Sequence, residues 1–229
     1  MSLALIVPAA GSGHRLGADR PKALVEVASV ALVRHTLERF IRAAAPLEAV
    51  VAAPASSLGD FREALLGLDT GGAAIRVVAG GQTRQESVWA GLEALDCQPE
   101  IVCIHDAARP LTPKATVLEV IEAARRSGAA TVASRPVDSI RQDGEQDGGS
   151  RALDRRRLWM VETPQAFAFD LLHKAHQRAR ATGLKASDDA ALVEACSEVV
   201  EVVESQGPNF KVTWPHDLDL LALLLGREH

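Results

Sequence analysis

Short aliphatic runs separated by amphipathic segments constrain the fold of this 229-residue chain more than any other feature. The first run, Leu3 to Val7, is apolar at every position, as expected of a strand that is buried on both faces of a sheet. Four similar runs follow at Ala49 to Ala53, Ile75 to Val78, Ile101 to Ile104 and Ala129 to Ala133. Because helical patterns lie between them, the alternation predicts an α/β fold, a mostly parallel sheet with helices on both faces.

Several helices have recognisable ends or periodicity. Thr83 to Glu86 has the pattern of a capping box, and Thr112-Pro113 predicts an N-cap followed by proline at the first helical position. Further along, we expect helices over Asp170 to Thr182 and Asp188 to Ala195, and a terminal helix opened by Pro215.

The composition excludes several classes of partner and site. Aromatic residues are 3% of the chain, tyrosine is absent and the net charge is −5, so a nucleic-acid partner is not expected. No apolar run approaches the ~20 residues needed to cross a bilayer, so no membrane partner is expected either. Cys97, Cys103 and Cys196 are odd in number and lack C-x-x-C spacing, which indicates neither a zinc knuckle nor a disulfide framework. We therefore expect a reducing, cytoplasmic location.

One polar segment does not match the strand and helix alternation. Asp143 to Ser150 contains no residue suited to a core, and polar stretches lie on both sides of it. Two interpretations stay open: a surface hairpin, or an arm that leaves the domain and contacts a second copy of the chain. The basic residues that follow, Arg151 to Arg157, are interpreted mainly as a solvated face.

The loop after the first predicted strand is the strongest candidate for a ligand site, because ligands of open parallel sheets bind beyond the carboxyl ends of the strands. Gly11 and Gly13 allow its backbone N–H groups to approach a ligand, and Arg15 and Lys22 make it cationic on an acidic protein. The third glycine, Gly17, comes one residue too late for a dinucleotide fingerprint, and the P-loop pattern is missing as well. We predict an anion site that wraps a triphosphate between Arg15 and Lys22.

A second candidate lies after the fourth predicted strand. Asp106 is placed to hold Mg²⁺ together with phosphate oxygens, or else to cap a helix or form a salt bridge. Arg109 is placed to bind a phosphate, or else to pair with Asp106. His173 and His176 lie three residues apart on a predicted helix without a third ligand, and we expect them to be surface residues.

These motifs, taken together, resemble the 2-C-methyl-D-erythritol 4-phosphate cytidylyltransferase family of the non-mevalonate isoprenoid pathway. The resemblance extends from residue 3 to about residue 225 and rests on segments in this order: Pro8 to Arg15, Pro21-Lys22, Gly80-Gly81, Arg84, Ser87-Val88, His105 to Pro110, Thr163-Pro164-Gln165 and Lys211-Val212-Thr213. It implies one Rossmann-like nucleotidyltransferase domain over residues 1–229, with a protruding β-arm at about 138–157 that forms a homodimer. It also implies transfer of CMP from CTP to 2-C-methyl-D-erythritol 4-phosphate with release of pyrophosphate, using Mg²⁺ or another divalent cation.

The resemblance further implies a role for individual residues. The residues implied in catalysis are Arg15, Lys22, Arg155 and Lys211. Those implied in nucleotide binding are Ala9, Ala10, Gly11, Ser12, Gly13, His14, Gly81, Gln82, Ser87 and Ala107. Those implied in acceptor binding are Asp106, Arg109, Ser139, Arg155, Ser187 and Lys211, with Asp106 also the metal ligand and some reaching across the dimer.

The sequence departs from the family pattern in a few places. His14 stands where a second arginine is usual, Ser139 and Ser187 replace threonines, and Trp214 occupies a position that is commonly polar. Two other functions stay open at this point. One is cytidylyl transfer to a different polyol phosphate such as ribitol 5-phosphate, and the other is a non-catalytic nucleotide-binding regulator.

Overall fold

The computed structural model describes residues 2–11, 13–17, 19–144 and 149–227. Within these ranges the strands are β1 (Leu3–Pro8), β2 (Glu26–Val27), β3 (Val30–Ala31), β4 (Glu48–Ala53), β5 (Ala74–Ala79), β6 (Ile101–Ile104), β7 (Ala129–Ser134), β8 (Ile140–Asp143), β9 (Ser150–Leu153), β10 (Met160–Ala168) and β11 (Glu201–Glu204). The α-helices of the same ranges are α1 (Leu32–Ala44), α2 (Leu58–Ala64), α3 (Arg84–Glu93), α4 (Lys114–Ser127), α5 (Phe169–Thr182), α6 (Asp189–Glu194) and α7 (Pro215–Leu225).

The main sheet of the described residues has seven strands in the order β11-β7-β10-β6-β1-β4-β5. Neighbouring strands run parallel except for β10, which is antiparallel to both β6 and β7. The carboxyl ends of β1, β5 and β6 therefore meet at one edge of the sheet. The loops that follow these three strands carry most of the predicted nucleotide-binding residues.

Alternation along the central strand places two hydrophobic cores on opposite faces of the sheet. Leu5 and Val7 point into a core formed with α1 and α4, which includes Phe40. Ile6 points the other way, into a core formed with α3, α5 and α6, which includes Phe167. This arrangement confirms the predicted mostly parallel sheet with helices on both faces.

The predicted elements are largely confirmed, with small differences at their ends. The five predicted strands are β1, β4, β5, β6 and β7, and the predicted capping box at Thr83 is present at the start of α3. The prediction for α4 was wrong by one residue, because Pro113 has an extended backbone and is itself the N-cap, so the helix begins at Lys114.

The polar segment forms part of an antiparallel hairpin outside the main sheet. Strands β8 and β9 pair from Ile140 opposite Leu153 to Asp143 opposite Ser150, and their residues are exposed or only partly buried. Residues 145–148 of the predicted polar turn lie outside the described residues. The predicted β-arm is therefore present as a hairpin, and its role in dimerisation stays a prediction.

Two other findings bear on the sequence predictions. Cys97, Cys103 and Cys196 are all free cysteines. Across the described ranges, we find no helix with the length and apolar character that a bilayer-spanning segment requires.

Candidate active site

A cavity of about 430 Å³ opens at the carboxyl edge of the sheet, between the ends of β1, β5 and β6. It is lined by the first loop, the start of α3, the loop after β6 and the segment before α7. Its lining residues are Pro8, Ala9, Ala10, Gly11, Gly13, Arg15, Leu16, Lys22, Ala23, Gly81, Gln82, Thr83, Arg84, Ser87, Asp106, Ala107, Ala108, Lys211 and Thr213.

The first loop folds back on itself so that Lys22 lies beside the glycines. Gly13 has a φ of +73°, a conformation that side chains disfavour, and a Cβ placed there would lie 3.0 Å from the backbone nitrogen of Lys22. That nitrogen also donates to the carbonyl of Gly11 at 3.4 Å. A glycine at position 13 is therefore what allows the loop to close and bring Lys22 to the cavity.

Four cationic side chains line the cavity, those of Arg15, Lys22, Arg84 and Lys211. Burial, together with the positive charges of Lys211 and Arg15, lowers the pKa of Lys22 to about 8. The Arg15 guanidinium lies 5.9 Å from the centre of the Trp214 ring. Mutual repulsion of this kind is relieved when an anion enters, so the cluster favours a polyanionic ligand.

Asp106 lines the same cavity and is held by two of these cations. Its Oδ1 accepts from Arg84 Nε at 3.1 Å, and its Oδ2 accepts from Lys211 Nζ at 2.7 Å. Burial opposes ionisation, but Arg84 and Lys211 outweigh it and hold the pKa of Asp106 well below its usual range. The backbone nitrogen of Asp106 donates to Thr163 Oγ1 at 3.0 Å, so strand β10 also fixes its position.

The residues of the cavity fit a divalent cation only if phosphate oxygens complete its coordination. Asp106 supplies the one carboxylate among the described residues that line the cavity. In the parts of the chain that the structure describes, no group of three histidine, cysteine, aspartate or glutamate side chains is placed to hold a metal. Since Mg²⁺ commonly keeps its waters and takes one or two carboxylates plus substrate phosphates, Asp106 fits as its single protein ligand.

The loop after β5 packs tightly on the start of α3 at the cavity. A Cβ placed at Gly80 would lie 2.8 Å from Ser87 Oγ, and one placed at Gly81 would lie 2.2 Å from Cβ of Glu86. The Ser87 hydroxyl accepts from the Gly81 nitrogen at 3.2 Å and donates to the Thr83 carbonyl at 2.9 Å. These contacts fix the main chain of Gly80 and Gly81 against the start of α3.

The structure brings most of the predicted nucleotide residues together. Those lining the cavity are Ala9, Ala10, Gly11, Gly13, Gly81, Gln82, Ser87 and Ala107, with Arg15, Lys22, Lys211 and Asp106 beside them. Ser12 lies outside the described residues, and His14 begins the short 3-10 helix of the same loop. The predicted anion site at the first loop therefore coincides with the cavity.

Four predicted acceptor residues lie outside this lining. Arg109 is next to it, with Nε 3.9 Å from Asp106 Oδ2 and Nη1 donating to the carbonyl of Asn209. Ser139, Arg155 and Ser187 are exposed, and Arg155 donates to the carbonyl of Val137 within the arm. Their assignment to the acceptor stays a prediction.

The sequence analysis missed the role of Arg84 and the burial of His176. Arg84 was part of the resemblance, but no contact was predicted for it, because its partners Asp106 and Asp189 are 22 and 105 residues away. The prediction that His176 is a surface residue was wrong, since its side chain is 1% exposed and its Nε2 lies 2.9 Å from Asp189 Oδ1. Its neighbour His173 is partly exposed, with Nε2 3.1 Å from Glu93.

Comparison with known proteins settles the family. The family model described as 2-C-methyl-D-erythritol 4-phosphate cytidylyltransferase matches residues 3–227. The chain belongs to this cytidylyltransferase family. A cytidylyltransferase of that name from Deinococcus radiodurans is 42% identical over 97% of this chain and 89% of its own length. A bifunctional relative from Desulforudis audaxviator is 40% identical, and the chain spans 56% of its length.

Solved structures of the cytidylyltransferase family share the fold over almost the whole chain. The enzyme from Thermus thermophilus is 36% identical with a TM-score of 0.78, and the alignment covers 98% of each chain. The 4-diphosphocytidyl-2C-methyl-D-erythritol synthase from Anaerococcus prevotii is 28% identical with a TM-score of 0.85 and covers 99% of each chain. The shared fold therefore includes the main sheet.

Proposed function

We propose that this chain transfers CMP from CTP to 2-C-methyl-D-erythritol 4-phosphate and releases pyrophosphate. One observation carries the proposal: one cavity at the carboxyl edge of the sheet is lined by a glycine-rich loop, four cationic side chains and one carboxylate. Family membership over residues 3–227 supports this choice of nucleotide and acceptor.

The cation cluster suits a reaction between two polyanions. The acceptor phosphate is largely dianionic at neutral pH, since its second ionisation lies near ~6, so it needs no general base. Repulsion between the acceptor and the triphosphate is the main obstacle, and the fixed charges of Arg15, Lys22 and Lys211 reduce it. The nearby His105 is fully buried and its pKa is lowered by burial to about 4, so it is neutral and unsuited to act as a base.

The bond changes follow from this arrangement. An oxygen of the acceptor phosphate forms a bond to the α-phosphorus of CTP, and the bond from that phosphorus to the bridging α,β-oxygen breaks. The electron pair leaves on pyrophosphate, whose charge Arg15 and Lys22 are placed to stabilise. A divalent cation bound to Asp106 and the phosphates would withdraw charge from the α-phosphoryl oxygens. Asp106 is held for that purpose by Arg84 and Lys211.

The main chain at Gly81, which lines the cavity, is proposed to select cytosine. A main-chain carbonyl accepts a hydrogen bond from the amino group of cytosine, whereas the oxygen of uracil at that place would face the carbonyl without a donor. Sites that use hydrogen bonds in this way reject an analogue lacking the group strongly. Little preference for CTP over UTP would contradict this assignment.

The acceptor site is proposed to be completed by a second copy of the chain through the arm. Among the described residues that line the cavity, none comes from β8, β9 or the segment that follows them. Arg155 therefore does not line the cavity of its own chain. This supports the proposal that it contributes to the cavity of a partner chain. Ser139 belongs to the same exposed region.

A pyrophosphate-release assay tests the proposed function. CTP and UTP are each combined with 2-C-methyl-D-erythritol 4-phosphate, ribitol 5-phosphate and other polyol phosphates, with and without Mg²⁺. We expect turnover with CTP and the methylerythritol phosphate in the presence of the cation. Faster turnover with another polyol phosphate would change the acceptor, and nucleotide binding without pyrophosphate release would favour a regulator.

A further inference from the structure

We propose that Asp189 and His176 are positioning residues for this reaction, which hold the guanidinium of Arg84 so that it presents Asp106 to the cavity. The inference rests on the proposed function for its kinetic consequence. Its structural basis is a continuous series of polar contacts that begins in the cavity and ends in the core between α5 and α6.

The series starts where Arg84 lies between two carboxylates. Its Nε donates to Asp106 Oδ1 at 3.1 Å, and its Nη1 donates to Asp189 Oδ2 at 2.6 Å. A guanidinium is planar and rigid, so fixing one edge on Asp189 fixes the direction of the other edge. The orientation of Asp106 in the cavity therefore depends on a residue that the cavity does not contain.

Asp189 is firmly held. Its side chain is 1% exposed, and its backbone nitrogen, like that of Ala190, donates to Gln165 Oε1, at 3.2 and 3.3 Å. Although burial opposes ionisation, Arg84 and His176 outweigh it and keep the pKa of Asp189 below its usual value. Asp189 is thus an ionised anchor in a fixed place on α6.

His176 completes the anchor. Its Nε2 lies 2.9 Å from Asp189 Oδ1, and its Nδ1 is buried without a hydrogen-bond partner among the residues that the structure describes. A proton on Nδ1 would be left unsatisfied there, whereas a proton on Nε2 satisfies the contact with Asp189. His176 therefore donates to one oxygen of Asp189 and leaves the other oxygen to Arg84.

The experiment compares three variants of α5. His176→Leu removes the donor to Asp189, and His176→Gln keeps an N–H at about the same place. His173→Leu is the matched control, because His173 also contacts Trp89 and pairs with a carboxylate, Glu93, but does not reach Asp189. The measurements are the thermal midpoint, the dissociation constant for CTP, and kcat and KM for the acceptor.

For His176→Leu we expect kcat/KM for the acceptor to fall about tenfold, since misplacing a binding group by ~1 Å costs up to ~10²-fold. The dissociation constant for CTP changes little, and both His176→Gln and His173→Leu stay close to the wild type. We expect a crystal structure of His176→Leu to have Arg84 displaced from Asp106. If His176→Leu does not fold, Asp189→Asn, which keeps the shape of the side chain, is measured in the same way and is expected to show the same loss.

Three results would overturn the inference. They are a His176→Leu variant no more impaired than His173→Leu, a His176→Gln variant as impaired as His176→Leu, and parallel loss of CTP binding and acceptor turnover. Failure of the proposed function is distinguishable, because it appears as an inactive wild type. In that case the crystal structures of the wild type and His176→Leu still decide whether His176 holds Arg84 against Asp106.

Discussion

Lys211 Nζ donates to Asp106 Oδ2 at 2.7 Å, across 105 residues of sequence. Lys211 reaches this place because the segment before α7 packs on the loop after β6. There, Val212 donates its backbone N–H to the carbonyl of Ala108 at 2.9 Å. The ion pair joins the segment before α7 to the loop that follows β6. It also makes the charge of Asp106 a determinant of stability.

The pair predicts an acid-sensitive contribution to folding. The pKa of Asp106 is lower in the folded chain than the ~3.9 of an unfolded chain. Its carboxylate therefore stabilises the folded state above pH ~3.9, and this stabilisation is lost progressively as the pH falls below that value. We expect the difference in free energy of unfolding between the wild type and Asp106→Asn to shrink from pH 6 to pH 3. Urea titrations at both pH values measure it, with exposed Asp60→Asn as the control. A difference independent of pH would contradict the prediction.

The lowered pKa of Lys22 predicts a decline of activity at alkaline pH. With a pKa of about 8 in the free enzyme, Lys22 loses its charge as the pH rises from 7 to 9, and kcat/KM for CTP falls with it. Lys22→Arg keeps the charge throughout this range, so its residual activity lacks that decline. Profiles of kcat/KM against pH for the two proteins make the comparison. An unchanged alkaline limb in Lys22→Arg would assign the decline to another group.

Removal of the Lys22 side chain separates binding from catalysis. If the ammonium stabilises charge that develops in the transition state, Lys22→Ala lowers kcat by about 10²–10³-fold, and CTP binding weakens less. Isothermal titration with CTP and the pyrophosphate assay provide the two numbers. Equal losses in both would restrict Lys22 to nucleotide binding.

Mixed dimers test the contribution of Arg155 across the proposed interface. We expect Lys22→Ala and Arg155→Ala each to be weakly active alone. In a dimer that contains one copy of each variant, one of the two sites combines the native Lys22 of one chain with the native Arg155 of the other. Random mixing after dissociation should therefore restore roughly a quarter of the wild-type turnover. Mixing Lys22→Ala with Lys211→Met is the control that restores nothing, since both residues line one cavity. If mixing Lys22→Ala with Arg155→Ala restores no turnover, Arg155 acts in the site of its own chain or in no site.

The sequence predicted those parts of the fold that local patterns determine. Leu3 to Val7 is recognisable because both faces of β1 are buried, so every position is apolar. Strand β10 was not predicted, because Met160 and Val161 are exposed and Pro164 interrupts the segment with a residue that sequence patterns associate with breaks. Strand β10 lies between β6 and β7 because it pairs with both, and its own composition does not indicate that pairing.

The same distinction applies to the site. Gly11, Gly13 and Lys22 are close in sequence, so the loop itself indicated an anion site. The pairing of Arg84 with Asp189 spans 105 residues and exists only once α3 and α6 have packed on the same face of the sheet. No local pattern signals such a contact, and the burial of His176 was missed for the same reason.

The position of β10 has a further consequence for how the arm is attached. Met160 lies directly opposite Ser134, so β7 and β10 are adjacent antiparallel strands and residues 135–159 form the connection between them. Insertions in a surface connection between paired strands are tolerated, because the register is set by the strands. The chain can therefore lengthen, shorten or exchange this protrusion over evolution, or in an engineered chimera, while the sheet edge that forms the cavity is inherited unchanged.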